Sequence, residues 1–385
     1  VSTIPLQPLV LPTDPGAAVA LLQREISRVY AGGAAIAPIA DAAQAQDLPA
    51  TVPASTAVVL CTSGSSGVPK RTMLSRTALL ASARASAARL GGDGDWLLCL
   101  PMGFVAGFQV VSRAVLGGRQ VTALAGSHFD TGEFAASAHR MRPGRRYTAL
   151  VPTQVRRLLA DAESRTALAG FDAVLVGGAP MDPETARRLR DSTDVVLTYG
   201  MTETCGGCVY DGVPLDGVRI RIVDGVIHIG GDIVAGGYLG ADEAEAARFY
   251  TDDGLSWYRT ADRGVWADGR LIPTGRIDDL INTGGVKVSA TAVEAALLEL
   301  DWVDAAVVLG LPDQEWGELV GAYVLARDGI SPPDIELLRE TIRGRLGRAA
   351  VPKRIVIGND LPLLPNSKID RRAIRNRLTE GQIHV

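Results

Sequence analysis

From residue 55 onward, short apolar runs alternate with longer segments of helical periodicity. The run Ala57 to Leu60 predicts a buried strand, and Ser75 stands where an N-cap would start a helix reaching Leu90. Strands are then predicted at 96–100, 120–124, 147–151, 173–176 and 195–198, with helices at 105–116, 129–141, 153–162 and 182–191 between them. That rhythm implies a mostly parallel sheet flanked by helices. After residue 210 the pattern turns to short strands with Gly/Asp turns, at 218–223, 226–229, 257–259, 264–266 and 271–273, which suggests a small barrel-like or antiparallel β unit. A helix at 292–300, strands at 305–309 and 319–326, a helix at 334–346 and a strand at 354–357 make a compact α+β unit. Residues 1–50 are Ala- and Pro-rich, with one helix-like segment at 17–30 and no evident chemistry. The fold class expected is α/β. A large domain (1–277) of helix-flanked, mostly parallel sheets plus the small β unit is followed by a small mobile α+β domain (278–385).

The chain has 385 residues and a net charge of −4, so it has length for a large and a small domain and no basic footprint for nucleic acid. No signal peptide, transit peptide or apolar run long enough to span a membrane is evident, and a soluble, cytoplasmic protein is expected. Cys205 and Cys208 have metal or redox spacing, but no second such pair follows, and reduced thiols are the better expectation. Only four residues are lysine (70, 287, 353 and 368), which draws attention to them.

The stretch after the run at 57–60 is the richest in chemistry. Thr62, Ser63, Ser65 and Ser66 are interleaved with Gly64 and Gly67 and closed by Lys70. Glycine admits backbone N–H groups close to an anion, hydroxyls add donors and lysine adds a point charge, which suits a polyphosphate. The spacing G-x-x-x-x-G-K-S/T is absent, and the composition alone also fits a flexible linker. Downstream, Thr202 offers a hydroxyl and Glu203 a hard carboxylate suited to Mg²⁺ on phosphate oxygens, while Tyr199 could lie against a base. Asp262 follows a predicted strand and could accept from ribose hydroxyls, Arg276 could bind ribose or phosphate, and Lys368 lies on a polar loop near the C-terminus. Each of these alone also fits an ordinary solvated loop.

Together, the ordered segments TSGSSGVPK, YGMTET, YRTAD, GRIDDLINTGG and PNSKID resemble the motifs of the adenylate-forming superfamily, over roughly residues 55–375. The resemblance implies ATP, Mg²⁺ and coenzyme A as cofactors and a small carboxylic acid as substrate. It implies that Thr62, Ser63, Gly64, Ser65, Ser66, Gly67 and Lys70 hold the β- and γ-phosphates, and that Gly177, Gly178, Ala179 and Tyr199 flank adenine. Thr202 would touch the α-phosphate, Glu203 would bind the metal, and Asp262 and Arg276 would hold the ribose. Asp278 would be a hinge, Lys368 the mobile lysine bridging carboxylate and α-phosphate, and Gly284 and Gly285 the pantetheine path. Lys287, just past that hinge, could meet nucleotide or coenzyme A, or merely be solvated.

Within the superfamily, the segments 145–154 and 202–218 resemble the o-succinylbenzoate–CoA ligases of menaquinone biosynthesis in their actinobacterial form. The phosphate loop also begins early, at residue 62, as in that branch. Thr153, Gln154, Gly206 and Gly207 would then contribute to the acid pocket, although Thr153 equally suits a helix N-cap. Two departures stand out. Phe104 replaces a histidine common in relatives beside the activated carboxyl group, and Ala261 stands where relatives often have glycine. A ligase for another aryl or fatty acid, a carrier-loading adenylation enzyme and a nucleotide-binding sensor without catalysis are the competing readings. A homodimer is compatible with the sequence.

Overall fold

The computed structural model describes residues 2–62, 70–126, 129–327, 335–364 and 369–380. These residues form four sheets. The first has six strands, ordered Gly237–Tyr238, Arg71–Ser75, Thr56–Cys61, Ala35–Ile39, Thr3–Val10 and Thr51–Pro53. The last residue of Thr56–Cys61 pairs antiparallel with the first of Arg71–Ser75, so the Gly/Ser-rich loop joins the two arms of a hairpin. Residues 1–50, expected to supply one helix, also supply the inner strands Thr3–Val10 and Ala35–Ile39, which run parallel.

The second sheet has seven strands, ordered Val213–Pro214, Gly206–Tyr210, Val195–Met201, Ala173–Val176, Arg146–Leu150, Asp95–Leu98 and Val121–Ala123. The last five are parallel, as the alternation of strands and helices implies. Helices Pro15–Tyr30 and Arg76–Arg89 each pack on Val105–Gly117, and the first two contact strands of both sheets. Ser75 is the N-cap expected of it, its hydroxyl accepting from Ala78 N–H at 3.0 Å. The other helices of this region close a core of Phe134, Leu150, Leu158, Leu168, Val174 and Leu189.

The third sheet is ordered Arg219–Val223, Val226–Gly230, Leu255–Ala267 and Phe249–Asp252, with Arg270–Arg276 also paired to Leu255–Ala267. The separate strands expected at 257–259 and 264–266 are one continuous strand. Within that strand Gly264 lies where an added Cβ would stand 2.6 Å from Ile227, so close packing accounts for the glycine.

Contacts divide the chain into two units: residues 1–221, 228–260 and 266–271, and residues 222–227, 261–265 and 272–385. In the second unit, the strands Val286–Ser289, Leu280–Thr283, Gly317–Ala326 and Val303–Asp313 form a sheet in that order, with Arg354–Gly358 parallel to Gly317–Ala326. Helices Ala290–Leu298 and Ile335–Leu346 pack through Val293, Leu297, Leu338 and Ile342 into one cluster. Helix Arg371–Glu380 packs Ile374 and Leu378 against Leu309 and Tyr323 in another. Among the described residues, no helix is long and apolar enough to cross a membrane.

Candidate active site

In the first unit, the candidate residues gather at the carboxyl ends of the parallel strands of the seven-stranded sheet, where ligands of open α/β sheets bind. Phe104 follows Asp95–Leu98, Thr153 and Gln154 follow Arg146–Leu150, Gly177 to Ala179 follow Ala173–Val176, and Tyr199 to Glu203 end and follow Val195–Met201. Gly177 lies against the next strand, where a Cβ would stand 2.3 Å from Thr198 Oγ1. Gly178 has φ of +84°, and both it and Ala179 are exposed, as a surface approached by a flat ring requires.

Tyr199 stands at a register shift between Val195–Met201 and Gly206–Tyr210. Beyond it, Thr202–Thr204 is a single 3₁₀ turn carrying Thr202 and Glu203, both buried. Thr204 Oγ1 accepts from Met201 N–H and bonds the Gly206 carbonyl at 2.8 Å. Cys205 ends the turn in the left-handed region, φ +54°, and its carbonyl accepts from Gln109 Nε2 at 2.6 Å and Ser82 Oγ at 3.2 Å. Sequence reasoning had no signal for Gln109, whose buried Oε1 finds no hydrogen-bond partner among the described residues.

The Glu203 carboxylate faces two phenols. Tyr238 donates to Glu203 Oε1 at 2.5 Å, and the Tyr238 and Tyr258 hydroxyls lie 2.9 Å apart. Burial, then the Glu203 charge, pushes the Tyr238 phenol far above its ordinary range, and the same causes push Tyr258 up to about 12. Tyr238 escaped sequence reasoning because a two-residue strand leaves no periodicity, and the Gly236–Gly237 pair before it is the signal that marked it.

At the described ends of the hairpin loop, Thr62 N–H bonds the Lys70 carbonyl at 2.7 Å, and Thr62 Oγ1 accepts from Lys70 N–H at 3.1 Å. The Lys70 ammonium pairs with Glu245 at 2.8 Å and lies 5.0 Å from the centre of the Tyr238 ring. Thus Lys70 and Glu203 meet the same tyrosine. Ser63, Gly64, Ser65, Ser66 and Gly67 lie outside the described residues, as does Lys368. The flanks of the Lys368 segment are described: Leu363 bridges Ile369, and Asp370 caps helix Arg371–Glu380 by accepting from Arg372 and Ala373.

Among the acid-pocket candidates, Phe104 is half-buried at the N-cap position of Val105–Gly117. A Cβ on Gly206 would lie 3.8 Å from Val105 and from Gln109 of that helix, and one on Gly207 would lie 3.0 Å from Thr198. Gln154 is buried, its Oε1 accepting from Val151 N–H at 3.0 Å and its Nε2 donating to Cys99 O at 2.9 Å, so it fixes the start of helix Pro152–Ala160. The N-cap there is Val151; Thr153 is half-buried inside the first turn and is not the cap.

In the second unit, Asp262 and Arg276 come together at 3.0 Å, and Arg276 also makes two 2.7 Å bonds to Asp278. Gly284 and Gly285 form a two-residue hairpin turn, φ +57° and +80°, between Leu280–Thr283 and Val286–Ser289. A Cβ on Gly284 would stand 2.7 Å from the Trp316 ring, and Lys287 is exposed beside this turn.

The donor set at Glu203 fits magnesium. The carboxylate is a hard oxygen ligand with Oε1 committed to Tyr238, and among the described residues there is no cluster of three His, Cys, Asp or Glu to make a dedicated cage. One carboxylate completed by substrate phosphates and water is how Mg²⁺ is ordinarily held.

The chain belongs to the AMP-binding enzyme family, whose profile matches residues 13–239, with the family's C-terminal domain matching residues 292–368. It is 40% identical over 375 residues to a probable 2-succinylbenzoate–CoA ligase of Mycobacterium tuberculosis, an alignment spanning 94% of this chain and 96% of that protein. A 2-succinylbenzoate–CoA ligase of Enterococcus faecalis is 29% identical over 343 residues, 82% of this chain and 68% of that protein. The fold is that of o-succinylbenzoate CoA synthetase from Bacillus subtilis, solved with its acyl-adenylate intermediate: TM-score 0.75 at 22% identity, over 98% of this chain and 89% of the other. ATP-bound MatB from Rhodopseudomonas palustris gives a TM-score of 0.80 at 23% identity, over 96% and 88%.

Proposed function

We propose that this protein is an AMP-forming 2-succinylbenzoate–CoA ligase. It would join the succinyl carboxylate to the α-phosphorus of ATP, expel pyrophosphate, and pass the acyl group to the thiol of coenzyme A. The observation that supports the chemistry best is the junction of Lys70, Tyr238 and Glu203 at the base of the phosphate loop. Support for the acid is the 40% identity to the mycobacterial protein over nearly the full length of both.

A carboxylate with a pKa of about 4 is ionised at neutral pH, so the attack needs no general base. The barrier lies in bringing two anions together and in charge that grows in the transition state. Thr62 and Lys70, with the loop 63–67, are assigned the β- and γ-phosphates, and Thr202 the α-phosphate. Glu203 is assigned the metal; bound there, Mg²⁺ would neutralise phosphate charge. Gly177, Gly178, Ala179 and Tyr199 would flank adenine, and Asp262 and Arg276, already paired, would offer a carboxylate and a guanidinium to the ribose. Lys368 would bridge the attacking carboxylate and the α-phosphate in a site closed to water. The thiol then needs the space the lysine vacates, which assigns Asp278 to a hinge and Gly284 and Gly285 to the pantetheine path.

The Phe104 side chain favours a second reading at the level of the acid. An aromatic ring where relatives carry histidine gives the reacting carboxyl group an apolar neighbour, which suits a different aryl acid. ATP–pyrophosphate exchange against 2-succinylbenzoate, benzoate, a medium-chain fatty acid and amino acids tests both. Exchange with 2-succinylbenzoate alone, followed by its thioester when coenzyme A is added, is the expected result. Exchange with another acid only would overturn the substrate, and none with any would overturn the reaction.

A further inference from the structure

We propose that Tyr238 is a positioning residue of the adenylation site, its hydroxyl orienting the Glu203 carboxylate toward a magnesium ion and tying that carboxylate to the base of the phosphate loop. The inference rests on the reading of Glu203 as the metal ligand.

The segment around Tyr238 grips Glu203 twice. Ala235 N–H donates to the Glu203 carbonyl at 2.8 Å, and the Tyr238 hydroxyl donates to Oε1 at 2.5 Å. The same segment is bonded to the strand that leaves the phosphate loop: Gly236 N–H reaches Met73 O at 2.9 Å, and Leu239 N–H reaches Arg71 O at 2.7 Å. Strand Gly237–Tyr238 therefore carries the loop's position to the carboxylate through five residues of backbone. The face of the Tyr238 ring adds a second link, since the Lys70 ammonium stands 5.0 Å from its centre.

The proton order follows from the chemistry of the three groups. An ionised Glu203 accepts only, so Tyr238 donates to it and its own oxygen must accept from Tyr258. One carboxylate oxygen is thus fixed, and among the described residues no hydrogen bond or ion pair is found to the other, Oε2. Outer partners of this kind set the rotamer of a metal-binding carboxylate and change metal affinity about 10–100-fold when removed.

The ring could serve packing alone. It lies edge-on to Phe249 at 5.1 Å, and Phe249 lies 4.8 Å from Tyr258. Tyr238→Phe keeps that packing and the stacking of Lys70 while deleting the hydroxyl, so it separates packing from positioning.

The test is Mn²⁺ binding to the full chain in the presence of an ATP analogue with a methylene between the α- and β-phosphorus, followed by the EPR signal of free Mn²⁺. Tyr238→Phe is expected to weaken Mn²⁺ about 10–100-fold, with little change in metal-free analogue binding, and with kcat recovering at saturating Mg²⁺. Tyr258→Phe, which removes only the support behind Tyr238, is expected to shift the affinity the same way and less. Glu203→Gln is expected to weaken it most. Wild-type affinity in Tyr238→Phe, with affinity lost in Glu203→Gln, would overturn the positioning role and leave the metal-ligand reading intact. Wild-type affinity in Glu203→Gln would overturn that reading and the proposal with it. Should Tyr238→Phe fail to fold, Tyr258→Phe decides: weaker Mn²⁺ binding in the folded variant supports the proposal, and unchanged binding overturns it.

Discussion

Three of the four cysteines are sealed in the interior. Burial pushes the Cys99 and Cys208 thiols up to about 12 and Cys205 higher still, so none of them supplies thiolate near neutral pH. Cys61 is different: it is half-buried and ends the strand that enters the phosphate loop. Native protein should therefore titrate a single thiol with DTNB, and Cys61→Ser should remove it. Reaction at wild-type rate in Cys61→Ser would show that an interior thiol is reached. His228 carries a pH dependence. Burial, then the charges of Arg259 and Arg221, lowers its pKa below 6.5, and Nδ1 lies 2.7 Å from the Tyr250 hydroxyl. Well above pH 6.5 the ring is neutral in both folded and unfolded chains and contributes no slope. As the pH falls below 6.5, the unfolded chain takes the proton first, so stability is lost until the folded ring also titrates. Urea midpoints at pH 7.5 and 5.5 should differ in this direction, with a smaller difference in His228→Gln; an identical difference in the variant would assign the slope to other groups.

At the scale of elements, the turn that carries Thr202 and Glu203 is held by a close approach of two strands. A Cβ on Gly200 would stand 2.1 Å from the Gly206 carbonyl oxygen, a backbone atom with little freedom to yield. Gly200→Ala is expected to cost about 1–3 kcal/mol of stability and, by shifting the turn, to lower adenylation further than the stability loss explains. Full adenylation in a destabilised Gly200→Ala would detach the turn from the chemistry. The same contrast explains what the sequence did and did not reveal. Between residues 95 and 201, period and caps mark nearly every element, because strands such as Asp95–Leu98 and Ala173–Val176 are buried on both faces and helices such as Thr131–Arg140 and Pro152–Ala160 bury one side. Thr3–Val10 and Ala35–Ile39 escaped because Pro5, Pro8 and Pro38 argue locally against a strand, whereas pairing with neighbours decides the outcome. Candidate site residues within ordered motifs could be nominated from the sequence. Tyr238, Glu245 and Gln109 were not, because their roles arise from contacts made 35, 175 and 96 residues away in the chain.

For the whole molecule, the reaction poses two demands on one site. Adenylation needs a cation between two anions in a dry pocket; thioester formation needs that space for a thiol. Lys368 belongs to the sequence of the second unit, just ahead of the capped helix Arg371–Glu380, so one mobile unit would meet both demands in turn. Lys368→Ala should then lower adenylate formation by about 10²–10³-fold while sparing thioester formation from a supplied acyl-adenylate. Equal loss in both half-reactions would remove the lysine from its assigned place. Asp278 tests the hinge independently. Its carboxylate grips Arg276, which also holds Asp262, so this short segment is ordered by charge. Asp278→Pro fixes φ and removes the carboxylate together, whereas Asp278→Asn removes charge alone. A hinge predicts that Asp278→Pro slows the two half-reactions unequally in single-turnover measurements, and that Asp278→Asn does so much less. Equal slowing by the two substitutions would assign Asp278 to holding Arg276 instead and remove the hinge assignment.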